Sequence, residues 1–384
     1  MEPQLQHAAL PSADHDEAAR QAFVQSLKLH LATKVVPGNR EIYERRLKPD
    51  FERAHGRPPA DRREVAALMR DEPYYQLWGS MQRCSQEMMH AAALDSVTRQ
   101  REALLARMAP PADPVGSLTL DPAVAAPAYV TAVDIHCMPG GYMGDLAGPL
   151  YDRIVHIYAM AGWGPDNGAM GRTIADYIRQ AHPGLEPRRI LDMGCGIGNS
   201  TLPYADTFPG AEIQAIDVSA PQLRYAHARA EALGKAVQFR QADATATPYE
   251  DGSFDLIVSH ILLHETSGRA IREVMAECHR LLRPGGLALH VDLALYDGMD
   301  PFDAFMLDWD THHNNEPFWG TFRDMDAGAL LTGAGFPADG LVSALVSRSG
   351  NAAHVFSDKR DSGGRRYWQI VGARKAEAAQ ASAA

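Results

Sequence analysis

Between about residues 18 and 108, apolar positions recur every three and four residues among Glu, Arg, Ala and Leu, a spacing that predicts helices rather than strands. Four helices are expected. The breaks fall at Pro37-Gly38, at the Gly56-Arg57-Pro58-Pro59 run and at Glu72-Pro73, where turn formers meet residues that cannot continue a helix. Asp61 is placed to cap the third helix, and the last spans 74–107, carrying Trp78, Met81, Met88 and Met89. A Pro/Ala-rich passage from Ala109 to Pro127 reads as an extended linker. The Pro139-Gly140-Gly141 step in Asp134-Ile135-His136-Cys137-Met138-Pro139-Gly140-Gly141-Tyr142 rules out a regular element there, and helices are expected over 150–160 and 170–182. Beyond this the period changes. Short apolar runs alternate with helical segments, giving strands at 189–193, 212–217, 237–240, 254–259, 287–292, 341–347 and 367–373. That alternation predicts an α/β fold, a Rossmann-like doubly wound seven-stranded sheet, behind an all-helical N-terminal domain.

Composition narrows the class. A chain of 384 residues exceeds one ordinary core, and 46% hydrophobic with 22% charged residues fits a folded globular protein. The formal charge of −11 argues against nucleic acid as a partner, because phosphate binding draws on a basic field. Cys84, Cys137, Cys195 and Cys278 form no C-x-x-C pair, so reduced thiols and a cytoplasmic protein are expected. The polar N-terminus and the lack of any 18-residue apolar run predict neither export nor a membrane span.

The most specific chemistry lies in Ile190-Leu191-Asp192-Met193-Gly194-Cys195-Gly196-Ile197-Gly198, a buried strand running into a glycine turn and then a polar helix start at Asn199-Ser200-Thr201. Alone, the glycines fit several nucleotide sites. A dinucleotide fingerprint wants glycine where Asn199 stands, and here an acid, Asp192, precedes the turn instead. Asp217 ends the second of these strands beside the glycine loop, where a carboxylate accepts ribose hydroxyls. Asp243-Ala244 ends the third, and Pro284-Gly285-Gly286 turns the chain into the fifth.

This ordered set, over about residues 150–373, resembles the class I S-adenosylmethionine-dependent methyltransferases. The resemblance implies S-adenosylmethionine as cofactor. It places Asp192, Gly194, Cys195, Gly196 and Gly198 against the methionine moiety, Asp217 and Val218 at the ribose, and Asp243 and Ala244 at the adenine, with His260 near the adenine side. It also makes the last two strands an antiparallel terminal hairpin. The domains then read as 1–112 helical, serving as lid or dimerisation surface; 113–145 linker and active-site cover loop; 146–375 cofactor-binding; and 376–384 a disordered tail.

Methyl transfer is an in-line displacement, so the protein's main task is alignment in a dry pocket, and acceptor residues belong after the fourth and fifth strands. His260 and His264 stand at i and i+4, but lining the pocket is a better reading than metal binding, and no metal is expected. His264, His313 and Glu316 are the catalytic candidates. His290 and Asp292, alternating on one strand face, are a second possible imidazole–carboxylate pair. Substrate contacts are expected from His136, Tyr142, Tyr151, Tyr158, His312, Asn315 and Trp319, because the 308–319 insertion is rich in aromatic and hydrogen-bonding side chains. The expected reaction is methyl transfer to a small-molecule O, N or S acceptor. Intramolecular cyclisation of the cofactor, of the azetidine-2-carboxylate synthase type, and non-catalytic cofactor binding are the alternatives. A homodimer through the N-terminal helices is compatible with the sequence.

Overall fold

A computed structural model describes residues 3–347 and 367–378. Asp14 caps α1 (His15–His30): its side chain accepts from the Glu17 N–H while Glu17 accepts from the Asp14 N–H, a reciprocal capping box. The chain stays helical through a π turn at Leu31–Val35, α2 (Val36–Ile42), a second π turn at Tyr43–Leu47 and α3 (Lys48–His55). Pro37 therefore does not break the chain. It occupies the first turn of α2, where a missing N–H costs little, and the preceding π turn absorbs the change of register. Gly56 ends α3 at φ +70°, and Asp61 caps α4 (Arg62–Met69) by accepting from the Arg63 and Glu64 N–H groups. Pro73 opens α5 (Pro73–Arg99), about 40 Å long. Gln100, at φ −106° and ψ 13°, separates it from α6 (Arg101–Arg107), where periodicity alone gives one continuous helix.

The passage read as linker contributes a strand. β1 (Ser117–Thr119) pairs in parallel with a later strand, so the sheet has eight described strands rather than the seven expected. A three-residue edge strand lies below what alternation can signal. After it come α7 (Ala128–Thr131), 3₁₀ turns at Ile135–Cys137 and Gly141–Met143, α8 (Ala147–Tyr158) and α9 (Ala169–Ala181). The sheet proper then runs β2 (Arg189–Met193), α10 (Leu202–Thr207), β3 (Glu212–Asp217), α11 (Ala220–Ala232), β4 (Gln238–Gln241), β5 (Phe254–His260), α12 (Gly268–Leu281) and β6 (Leu282–Asp292). The excursion after β6 folds into α13 (Pro301–Leu307), α14 (Trp309–His313), α15 (Trp319–Arg323) and α16 (Ala327–Gly333) before the hairpin β7 (Leu341–Ser347) and β8 (Tyr367–Arg374). The expected tail falls outside the described residues from 379 on.

Strand order is β1-β4-β3-β2-β5-β6-β8-β7, with β1 to β6 parallel and β8 antiparallel to both β6 and β7. The order reverses at β2, which opens a crevice beyond the carboxyl ends of β2 and β5, where ligands of such sheets bind. Side chains alternate between the faces: Leu256 and Val258 join one core with α9 and α11, while Ile257 joins the other with α12 and α16. The N-terminal helices bury their apolar faces on this frame. Val24, Met89, Ala93 and Val97 pack with Leu150 and Ile154 of α8, and Tyr43, Val65, Met69 and Trp78 pack with Phe302, Phe305 and Met306 of α13. They thereby roof the carboxyl end of the sheet. No described helix is long and apolar enough to cross a membrane.

Candidate functional site

The glycine turn after β2 forms one end of a cavity. Gly194, Gly196 and Gly198 have φ of +70°, +52° and +73°, and a Cβ on Gly194 would stand 2.5 Å from Leu262 Cδ1. The turn is pinned to β3, because the Gly194 and Cys195 N–H groups both donate to the Ile216 carbonyl. Asp217, at the end of β3, accepts from the Gly196 N–H (2.9 Å) and the Ser219 N–H (2.8 Å), one on each carboxylate oxygen. Burial pushes its pKa above the ordinary aspartate value, and those two N–H groups pull against it. Asp192 is 1% exposed and accepts from the Thr201 hydroxyl at 2.6 Å, while its Oδ1 has no hydrogen-bond partner. At the far end Asp243 accepts from the Thr245 N–H and hydroxyl. Val218, Ala244, His260, Leu262 and Glu265 complete the wall, and Tyr129, Tyr142 and Tyr151 cover it.

A second cavity of about 440 Å³ lies behind Tyr151 and Ile261, which line both spaces. Its walls come from α1, α5, α8, the turn after α8, the excursion after β6 and β8: Trp78, Met89, Tyr158, Trp163, Trp309, Trp319 and Trp368, with Lys28, His90, His136, His264, Asp310 and Arg323 as polar points. Arg323 is 1% exposed. Its Nε donates to the Ala294 carbonyl, but neither terminal nitrogen has a hydrogen-bond partner. Lys28 donates to Gln86 Oε1, and burial lowers its pKa to about 7, against the smaller opposing pull of Asp310.

Where the two cavities meet, three loops deliver a compact polar group. His136 places Nδ1 2.7 Å from Glu316 Oε1 and Nε2 2.9 Å from Glu265 Oε1. His264 Nδ1 faces Asp292 Oδ1 at 2.6 Å, which leaves Nε2 3.6 Å from Glu265 and 3.8 Å from Glu316. Tyr142 donates to Glu265 Oε1, and Asn314 donates to Glu316 Oε1. Burial opposes the imidazolium of His264, but Asp292 and Glu265 outweigh it and hold the pKa up, at about 10. The same competition, with Glu316 and Glu265 prevailing over burial, raises His136 well above the ordinary histidine value.

Several sequence expectations need correction. His260 and His264 do not share a helix face: β5 continues to His260, whose Nε2 meets the Tyr204 hydroxyl at 3.1 Å and whose Nδ1 lies 3.5 Å from Asp192. His260 thus lines the first cavity beside Asp192. Asp292 orients His264, not His290; His290 is buried against Ser259 and Cys278, and burial lowers its pKa to about 4. His312 and His313 are exposed and line neither cavity: the His313 ring packs on Trp309 and its carbonyl accepts from Arg83. Asn315 turns outward and donates to the Asp134 carbonyl. Glu316, Trp319, Tyr151, Tyr158, Tyr142 and His136 do converge on the cavities or their junction, with Trp319 edge-on to His264 at 5.1 Å. Sequence reasoning passed over Glu265, although it adjoins His264, and missed Lys28 and Arg323, whose burial arises only from tertiary packing.

Residues 190–286 match the family model described as a methyltransferase domain. A demethylmenaquinone methyltransferase of Thermus thermophilus is 38% identical over 100 residues, covering 26% of this chain and 44% of its own length. A tRNA N(3)-methylcytidine methyltransferase of Drosophila melanogaster is 33% identical over 119 residues, covering 29% of this chain and 37% of its own. The chain thus spans less than half the length of either relative. Among solved structures, an O-methyltransferase family protein from Burkholderia thailandensis aligns with 60% of this chain and 60% of its own at 18% identity, with a TM-score of 0.39.

Proposed function

We propose that this chain, whose residues 190–286 match a methyltransferase domain, transfers the methyl group of S-adenosylmethionine to a small molecule held in the 440 Å³ chamber. The observation that carries this reading is the shared wall: Tyr151 and Ile261 line both cavities, so the two lie side by side with only these side chains between them. The residues of the first cavity fit the cofactor. The Cβ-free turn at Gly194 and Gly196 admits close approach to backbone, Asp192 Oδ1 is buried and has no hydrogen bond, with His260 Nδ1 3.5 Å away, and Asp217 keeps a lone pair on each oxygen after its two N–H bonds. When bound, S-adenosylmethionine supplies an electrophilic methyl on a sulfonium.

The chain's own residues then orient the acceptor and exclude water. The N-terminal helices form part of the chamber's wall, and its aromatic lining suits an acceptor with a planar or apolar body. Arg323 offers two donors without partners, and Lys28 lines the same chamber, which favours an acceptor bearing a carboxylate or phosphate. His264, steered by Asp292, presents Nε2 at the junction, where the acceptor's nucleophile would rest.

The test is incubation of the chain with methyl-labelled S-adenosylmethionine and a fractionated metabolite extract, read by mass spectrometry. A labelled acidic small molecule together with S-adenosylhomocysteine is the expected outcome. Methylthioadenosine as product would replace transfer by intramolecular attack on the cofactor. Cofactor binding without any turnover would replace it by a binding role.

A further inference from the structure

We propose that His136, Glu265 and Glu316, with His264 as a fourth donor, bind one divalent transition-metal ion at the junction of the two cavities. The proposal rests on the reading of the larger cavity as the acceptor chamber for what such an ion would do, but not for the site itself. One ligand atom from each of His136, Glu265 and Glu316 lies within 4.8 Å of the others. The donors come from three separate segments: the turn before α8, the turn after β5 and the loop after α14.

The spacing is that of a donor cage. Ligands at about 2.1 Å from a metal stand about 3.0 Å apart when cis in an octahedron and about 3.4 Å apart in a tetrahedron. His136 Nε2 lies 2.9 Å from Glu265 Oε1, and His264 Nε2 lies 3.6 Å from Glu265 Oε1 and 3.8 Å from Glu316 Oε2, so these four atoms face one another, while His136 Nδ1, on the other side of its ring, pairs with Glu316 Oε1 at 2.7 Å and is not a ligand. An independent observation points to a cation ligand set. The Glu316 side chain is fully buried, yet its Oε2 has no hydrogen-bond partner, and neither has Glu265 Oε2. A buried acceptor left without a donor costs about 1–3 kcal/mol, and a bound ion supplies the absent partner.

The surroundings match what outer contacts do around a metal. Asp292 on His264 Nδ1 directs Nε2 inward, Asn314 holds Glu316, and the Tyr142 hydroxyl holds Glu265. The alternative reading, a plain network of imidazolium–carboxylate pairs, satisfies His136 but leaves both Oε2 atoms without a hydrogen bond, with His264 Nε2 standing 3.8 Å from Glu316 Oε2. Two imidazoles favour manganese, iron, cobalt or zinc over magnesium or calcium. Facing the chamber, such an ion would take an oxygen or nitrogen of the acceptor as a further ligand and fix it beside the cofactor cavity.

The experiment uses the full chain, stripped with a chelator and dialysed against micromolar Mn²⁺, Co²⁺ or Zn²⁺, with bound metal counted by mass spectrometry. One ion per chain is expected for at least one of these metals. Glu316→Gln and His136→Ala should each lower metal affinity by at least ~10-fold, while Glu273→Gln, an exposed acid paired with Arg269, leaves it unchanged. Glu265→Gln serves as a further ligand variant where either of the others fails to fold. No metal bound by the folded parent chain would overturn the proposal, as would binding undiminished in folded ligand variants. Calorimetric binding of S-adenosylmethionine to the stripped chain separates the two readings: cofactor binding without metal binding refutes only this proposal, and metal binding without cofactor binding refutes only the methyl-transfer reading.

Discussion

Asp217→Ala should weaken S-adenosylmethionine binding by about 1.5–3 kcal/mol, or about 10- to 150-fold. The size follows from the carboxylate's contacts. Each oxygen already accepts one backbone N–H, from Gly196 and from Ser219, and keeps a lone pair for one ribose hydroxyl. Two hydrogen bonds to a charged group would contribute about 3–6 kcal/mol if each gave its full increment. Part of that is offset, because the free protein already bears the cost of a buried carboxylate, as the upward pull of burial on the Asp217 pKa shows. The assay is titration calorimetry with the cofactor, accompanied by thermal melting, since loss of the Gly196 and Ser219 contacts also loosens the glycine turn. Affinity within twofold of the parent, in a chain that melts normally, would refute the ribose assignment.

Gly194→Ala should abolish measurable cofactor binding, because it forces φ +70° on a residue with a Cβ and drives that atom to 2.5 Å from Leu262 Cδ1; titration with the cofactor checks it. Asp152 is 1% exposed and accepts from the Tyr225 hydroxyl and the Asn167 and Gln4 amides, with Arg229 Nε 3.4 Å away. Burial opposes its ionisation, but Arg229 and His7 prevail and hold its pKa down at about 2, so its contribution of about 2 kcal/mol is present above the unfolded value near 3.8 and is lost as pH falls towards 2. Asp152→Ala, which leaves Arg229 buried without its partner, should cost about 3–5 kcal/mol in urea unfolding at neutral pH and flatten the acid limb. For Lys28 the sign is reversed: its folded pKa of about 7 lies below the unfolded 10.5, so between these values the unfolded chain holds the extra proton and stability rises with pH. Lys28→Met should remove up to about 1.4 kcal/mol per pH unit from that rise, measured as unfolding free energy from pH 7 to 10.

The parallel strands were legible because their interiors carry unbroken apolar runs, as in Leu256-Ile257-Val258, and because a glycine turn and an acid mark the strand ends at Gly194 and Asp217. β1 was not, since three residues on a sheet edge carry no usable period. The π turns around Pro37 were hidden for a related reason: tertiary packing of Tyr43 and Val36 against α13 and its neighbours overrides the local helix breaker. The acceptor side was legible only as a neighbourhood. His136, Glu265 and Glu316 are separated by 129 and 51 positions (265 − 136 and 316 − 265), and their meeting depends on loop conformations such as the positive φ of His136 and Asn315. Of the catalytic candidates in this segment, Glu316 reaches the junction while His313, three residues earlier, does not, a distinction the sequence pattern does not carry.

The most direct test of the whole account is a crystal structure of the chain with S-adenosylhomocysteine, read for where the sulfur lies. Ribose hydroxyls on Asp217, the adenine edge at Asp243, and the sulfur directed at the wall formed by Tyr151 and Ile261 are the expected result. A ligand seated in the chamber beside Arg323, or one whose sulfur points away from that wall, would contradict it.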